Sequence, residues 1–309
     1  RALMAEAEVG SPVLAHDVGF RIGPRLNAAG RLGAADPALE LLLTRDPARA
    51  QELAAQLGRC NSERRALEKR VVDDCAARYA GRELPAVLIG WSADWHRGVV
   101  GIAAGRLARQ FHRPAVLFAI TDGVAVGSGR SVPGIDLHGF LRAWESRVER
   151  FGGHAQAIGM TTSSVHLEAL AAEWESAAAA WPPESFAPTI EYDQTLELDE
   201  VTPGLLARLA RLEPFGVGNP EPVFRIGPCR RVGAGRVFGS GHLGLVAASS
   251  TAPRGATVEV VAWQWAERAA ADRVFDGDFE MLAAAEHDRF RDRPRLRLVA
   301  CRAAGPRTN

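Results

Sequence analysis

Two polar stretches carry most of the side chains with which this sequence could do chemistry. The first is Phe151-Gly152-Gly153-His154-Ala155-Gln156-Ala157-Ile158-Gly159, where an imidazole follows two adjacent glycines. Without a Cβ, the glycines let the backbone turn sharply or approach a ligand closely. The second is Gly127-Ser128-Gly129-Arg130-Ser131. Together they offer hydroxyl, guanidinium, imidazole and backbone N–H groups, the set that binds phosphate oxygens. Both read as loops, with Ala157, Ile158 and Met160 as a short strand anchoring the first. A third donor-rich span, Asp17 to Leu32, contains three glycines and also reads as a loop. Its Arg25, Asn27 and Arg31 are placed either to brace an anionic site or to hold a neighbouring domain.

The elements that must position these groups follow from pattern. Asp36-Pro37 and Asp46-Pro47 are helix starts, an N-cap residue followed by proline at the first helical position. The shorter helix shows an apolar face of Leu39, Leu42 and Leu43. The longer one carries a stripe of Ala50, Leu53, Leu57, Cys60, Leu67 and Val71, with Gly58 as a candidate interruption. Running to Tyr79 it would span about 50 Å, the length of a helix that joins two domains. From Leu84 the pattern becomes α/β. Strands are expected at 85–90 and 114–120, and a hairpin turn at Thr121-Asp122-Gly123. Trp95-His96-Arg97-Gly98 leads into a helix ending near Phe111, whose N-terminus suits an anion; His96 either faces that site or caps the helix. Helices are expected over 137–150 and 167–178. The proline-rich 181–188 is the clearest boundary. Beyond it, a strand at 189–198, a helix capped by Thr202 and several alternating segments suggest a small β-barrel of oligonucleotide-binding type.

Composition narrows the function classes. The 309 residues hold 37 basic and 37 acidic side chains, and Lys69 is the only lysine. The segments 1–83, 84–184 and 185–309 each balance to within one charge. A global basic field is excluded, so any nucleic-acid site is a local groove. Cys60, Cys75, Cys229 and Cys301 are far apart, which argues against a zinc site or a disulfide framework. No apolar run approaches a membrane span, and cytoplasmic localisation is expected. The chain begins at Arg1 within a helix-like pattern and reads as a piece of something longer.

Five motifs in order, Ile22-Gly23-Pro24-Arg25-Leu26-Asn27-Ala28-Ala29-Gly30-Arg31-Leu32, Trp95-His96-x-Gly98-Val99-Val100-Gly101-Ile102, Gly127 to Ser131, Gly152-Gly153-His154 and Pro214-Phe215-Gly216-x-Gly218-Asn219-Pro220, resemble the C-terminal part of the RecJ family of single-stranded-DNA exonucleases. That family belongs to the DHH phosphoesterase superfamily. The resemblance implies a fold of α/β plus β class. Residues 1–45 would end a DHH domain and 46–83 form the connecting helix. Residues 84–181 would be the DHH-associated α/β domain, 182–188 a linker, 189–302 an oligonucleotide-binding barrel and 303–309 a disordered tail. It implies 5′→3′ hydrolysis of single-stranded DNA with Mn2+ or Mg2+, in DNA repair and recombination.

The family's metal ligands are aspartates and histidines of the DHH domain. This chain has no Asp-His-His sequence, so no metal ligand and no catalytic residue is assigned within it and the chain alone is expected to be inactive. What carries over is the substrate side. Ser128, Arg130, Ser131, Gly152, Gly153 and His154 would bind phosphate across the cleft from the metals. Arg25, Asn27, Arg31, His96, Phe215 and Asn219 would contact nucleic acid. Phe215, Phe238, Trp263 and Trp265 are candidates either for stacking on bases or for the barrel core. A single-strand-binding protein or a helicase is the candidate partner, with no membrane involved. Two alternatives are a small-nucleotide DHH phosphodiesterase and a non-catalytic RecJ-like scaffold.

Overall fold

The computed structural model describes residues 1–239, 241–251, 255–288 and 291–304. The expected tail therefore lies, from 305 on, outside the described residues. The chain divides into two compact units, Arg1–Pro188 and Thr189–Asn309.

The first unit opens with short helices α1 (Ala2–Glu6) and α2 (Ala15–Asp17). A π-helical turn, Val18–Ile22, then runs without a break into α3 (Gly23–Leu32). The span expected as a loop is thus helical. Its glycines do not break it, and Pro24 sits in the first turn of α3. Next comes α4 (Asp36–Leu43), which turns Ala38 and Leu41 inward against Ala29 and Leu57. Leu39, Leu42 and Leu43, expected as its apolar face, are exposed.

The long helix α5 (Pro47–Tyr79) is continuous, and its N-cap Asp46 accepts from the Ala48 amide at 2.9 Å. Gly58 leaves it unbroken and serves packing instead. A Cβ there would lie 1.8 Å from the Glu6 carboxylate.

A five-stranded sheet follows in spatial order β1-β2-β3-β5-β4. Its strands are β1 (Leu88–Ser92), β2 (Ala115–Thr121), β3 (Val124–Arg130), β4 (Arg150–His154) and β5 (Ala157–Ser163). Only β1 and β2 are parallel, joined by α6 (Arg97–Phe111). Asp122 and Gly123 both have positive φ in the β2–β3 turn, as a two-residue hairpin requires. The helix expected over 137–150 is instead α7 (Leu137–Leu141) with a 3-10 turn, before the chain enters β4. The last helix of this unit is α8 (Leu167–Ala178).

One sheet face packs Leu88, Ala115 and Leu117 under α5 and α6. The other packs Ile89, Val116, Phe118, Ile158 and Met160 under α7 and α8, with Trp174 at its centre. Trp181 and Phe186 pack back onto this unit.

In the second unit, β6 (Gln194–Leu196) pairs in parallel with β7 (Phe224–Phe238). Between them lies α9 (Pro203–Leu209), capped by the Thr202 hydroxyl. Then come β8 (His242–Ser249), β9 (Thr257–Ala262), α10 (Ala266–Asp272), β10 (Phe279–Asp288) and β11 (Arg293–Ala303). The order β7-β8-β9-β11-β10 closes through β10–β7 pairing into a five-stranded barrel. Ile226, Ala247, Val260, Phe279, Ala283 and Leu296 fill its interior. The Thr189 to Leu198 segment, expected as one strand, contributes only the short β6.

Candidate nucleic-acid interface

The two polar stretches are strands, not loops. Gly127 to Arg130 forms the second half of β3, and Gly152 to His154 lies in the edge strand β4, both paired antiparallel to β5. Composition misleads here because the glycines answer to packing. A Cβ on Gly127 would meet the Phe118 ring at 2.4 Å, and one on Gly129 would meet Ile158 at 2.7 Å. Glycine is what lets that face of β3 lie flat on the core, so a period of two is hidden inside a loop-like sequence.

Register then decides which side chains share a face. Arg130, Ala157 and His154 form one cross-strand row, and Ser128, Gly159 and Gly152 the next. Directly paired residues project to the same side. Arg130 and His154 thus stand on one face, two strands or about 10 Å apart. Both lie on the side where α6 covers β3 and leaves β5 and β4 open.

Close approach of α6 fixes the inner end of that face. A Cβ on Gly101 would lie 3.2 Å from the Ser128 hydroxyl oxygen and 3.4 Å from an Arg130 guanidinium nitrogen. One on Gly98 would lie only 1.9 Å from the Arg31 carbonyl oxygen, so this glycine admits the C-terminal end of α3. His96 caps α6: its Nδ1 accepts from the Gly98 amide at 3.0 Å. The helix N-terminus expected to face an anion is therefore partly satisfied from within.

The Arg130 guanidinium donates to the Gly129 carbonyl at 2.8 Å. Burial, and then the neighbouring Arg31 charge, hold its pKa below the usual arginine value. It remains a cation all the same. Among the described residues neither Arg130 nor Arg31 forms an ion pair with a carboxylate. Two guanidinium groups that repel each other, one of them half-buried, favour an anion between them.

The outer end is set by the β4–β5 hairpin. Gly153 has φ +143°, and a Cβ there would sit 2.2 Å from the Ala157 carbonyl oxygen. The tip is pinned by the Leu137 amide donating to Ala155, the Ser131 amide donating to Gln156, and the Gln156 side-chain amide reaching the Val132 and Ile135 carbonyls. Ser131, expected at the phosphate, donates its hydroxyl to the Ile135 carbonyl at 2.7 Å. Its placement is that of a loop brace. His154 is exposed.

Other candidates separate from this face. Arg25 donates to the Arg21 and Glu6 carbonyls and braces the N-terminal helices. Asn27 is exposed on α3, one turn before Arg31. In the second unit, the Asn219 amide donates to the Leu212 and Pro214 carbonyls and shapes its own loop, where Phe215 is half-buried. Phe238, His242 and Trp263 cluster with ring centroids 4.8–6.1 Å apart, and Trp263 is 45% exposed. Trp265 packs against the barrel core.

An open groove of about 470 Å³ lies along the uncovered face, lined by Val126, Ser128, Arg150, Gly152, Gly159 and Thr161. Arg150 and Thr161 were not singled out from sequence. Their common face with Gly159 follows only from the pairing of β4 with β5 and of β5 with β3. Among the described residues no three His, Cys, Asp or Glu side chains converge as a metal cage requires, so no metal chemistry is assigned to them. Cys60, Cys75, Cys229 and Cys301 form no disulfide. Among the described residues no helix is long and apolar enough to cross a membrane.

The DHHA1 domain family model matches residues 84–180, and the RecJ OB domain model matches residues 192–301. The single-stranded-DNA-specific exonuclease RecJ of Bacillus subtilis is 36% identical over 210 residues, covering 66% of this chain and 27% of that protein. A crystal structure of RecJ from Thermus thermophilus in complex with Mg2+ superposes with a TM-score of 0.82 at 31% identity. It matches 99% of this chain and 46% of its own. The same protein with Mn2+ gives a TM-score of 0.81 over 99% of this chain and 44% of that one. The chain thus spans less than half the length of these relatives. With a DHHA1 domain followed by a RecJ OB domain, and a match to a RecJ structure over nearly all its length, the chain belongs to the RecJ family.

Proposed function

We propose that this chain is the substrate-binding part of a 5′→3′ single-stranded-DNA exonuclease acting in DNA repair and recombination. The observation that carries the reading is Arg130, a half-buried guanidinium that has no carboxylate partner among the described residues and feels the Arg31 charge, on an open sheet face. Arg130 grips a phosphate of the strand, bidentate and charged at any working pH. Arg31 adds a second positive charge, and Ser128, Gly152 and His154 complete the rim. The barrel follows the strand by stacking and phosphate contacts, with Phe238 and Trp263 as platforms.

Hydrolysis needs Mn2+ or Mg2+ to activate water and to stabilise the leaving oxygen. The ligands belong to a DHH domain outside these 309 residues, so this chain binds and orients without cutting. Domain limits follow the same reading: 1–45 closes the DHH domain, 84–181 is DHH-associated and 189–302 is the barrel. The RecJ OB match supports this reading over a small-nucleotide phosphodiesterase.

Fluorescence anisotropy with labelled oligonucleotides tests the binding. Single strands should bind more tightly than duplex, and affinity should fall with salt. Arg130→Gln should lower the log–log salt slope by about 0.7, the value for one single-strand phosphate. Equal affinity for both DNA forms, or no salt dependence, rejects the proposal. Digestion by the purified chain alone, abolished by a chelator, would place hydrolysis here after all. Restoration of digestion by a separately produced DHH domain separates the exonuclease from a non-catalytic scaffold.

A further inference from the structure

The glycines on the open face of β4 and β5 are not explained by the fold. Gly153 must be glycine, since its φ is +143° and a Cβ would strike the Ala157 carbonyl. Gly152 and Gly159 have no such reason. Neither has a left-handed φ, and a Cβ built on either meets nothing within 4 Å. They are directly paired across the two strands. Glycine inside a strand forfeits side-chain packing and conformational entropy, and here two such residues are set side by side with no structural return.

The next row is Val126, Thr161 and Arg150. Arg150 is exposed and forms no ion pair among the described residues. A bare patch therefore separates one cation-bearing row, Arg130 with His154, from another, Arg150. Each row advances about 6.8 Å along the strands, close to one nucleotide of an extended single strand.

The geometry points to a second substrate subsite: the Gly152–Gly159 pair is a floor on which the sugar–phosphate chain lies, and Arg150 receives a phosphate two nucleotides from the one held by Arg130. This rests on the phosphate clamp proposed above and extends it. The occupant is an extended single strand because the groove is open, its free charges are cationic, and its floor is flat enough for a deoxyribose. A duplex would bring a second backbone against the α6 side of the same face.

The test uses the 309-residue chain with 5′-phosphorylated oligothymidylates of one and three nucleotides. Dissociation constants are read from the NMR shifts of the Gly152 and Gly159 amides, which report this face whatever the barrel binds. Three nucleotides should bind about fivefold more tightly than one, the range of a single exposed charge pair. Arg150→Gln should remove that gain and leave the mononucleotide unchanged. Gly159→Ala should also weaken it, with an unchanged melting temperature since a Cβ there meets nothing within 4 Å. Trinucleotide binding by both variants at the original affinity overturns the subsite, as do Gly152 and Gly159 amides unmoved by the trinucleotide. If Arg130→Gln leaves both ligands unaffected while the trinucleotide still depends on Arg150, the clamp fails and the subsite stands.

Discussion

Replacing each glycine of the Gly152-Gly153 pair by alanine should separate a residue the backbone needs from one it does not. At Gly153 alanine faces two penalties. Its φ of +143° lies where an L side chain is strained by about 1–3 kcal/mol. Its methyl group would also overlap the Ala157 carbonyl oxygen at 2.2 Å, a backbone atom that moves only if the hairpin opens. Overpacking of this kind costs about 1–3 kcal/mol. Allowing for partial relief as the hairpin relaxes, Gly153→Ala should destabilise the first unit by about 3 kcal/mol. In a unit of this size that lowers the melting temperature by roughly 6–12 °C. At Gly152 a methyl group meets nothing within 4 Å, and the lost chain entropy of the unfolded state favours alanine. Gly152→Ala should stay within about 1 kcal/mol of the original. Urea unfolding followed by tryptophan fluorescence is suited to this, because five of the seven tryptophans lie in the first unit. Its transition should be analysed apart from that of the barrel. Equal midpoints for the two variants, or the larger loss at Gly152, would refute the assignment of Gly153 as the conformational glycine.

Three further outcomes are expected. Gly98→Ala should destabilise the first unit by about 1–3 kcal/mol in thermal melts, because the added methyl meets the Arg31 carbonyl at 1.9 Å. Gly101→Ala should do less, since the obstacle is the Ser128 side chain at 3.2 Å; equal losses would contradict this contact. In the barrel, hydrogen bonds from Arg225 and then Arg302 hold the Glu280 carboxyl below its ordinary 4.5. A depressed carboxylate stabilises above that value and loses the contribution as pH falls through the lowered one. Urea midpoints of the second unit should therefore drop below about pH 4.5, and Glu280→Gln should flatten the drop. Burial pushes the Cys75 thiol up to about 11 and the Cys229 thiol up to about 12. Neither should react with a thiol reagent at pH 8 until denaturant is added, and peptide mapping of label in the native protein checks this.

Where a signal is local, the sequence by itself was enough. Asp46-Pro47 opens α5 because a capping carboxylate and a proline in the first turn act within four residues. Thr121-Asp122-Gly123 turns β2 into β3 because two positive φ values are needed there. Thr202 caps α9 for a similar reason. The order of the five motifs identified the family, and the period-two segments from Val232 onward indicated the barrel. The choice of face did not lie in the sequence. Leu39, Leu42 and Leu43 are apolar at helical spacing, yet α4 buries Ala38 and Leu41, because only those fit against Ala29 and Leu57. Gly127, Gly129 and Gly152 look like loop residues. Two of them are strand positions pressed onto Phe118 and Ile158, and the third faces open space. Glycine carries no sign of which constraint it answers to; that depends on what stands where its Cβ would be. Nor does spacing join Arg31 to Arg130, separated by 98 intervening residues. Their charges interact because Gly98 admits the α3 backbone and Gly101 admits the β3 side chains, two close approaches that exist only once α6 has packed. Chemistry-bearing residue types were legible one by one, and the tertiary structure decided which of them share a face, which are spent on bracing loops, and where charge is left without a partner.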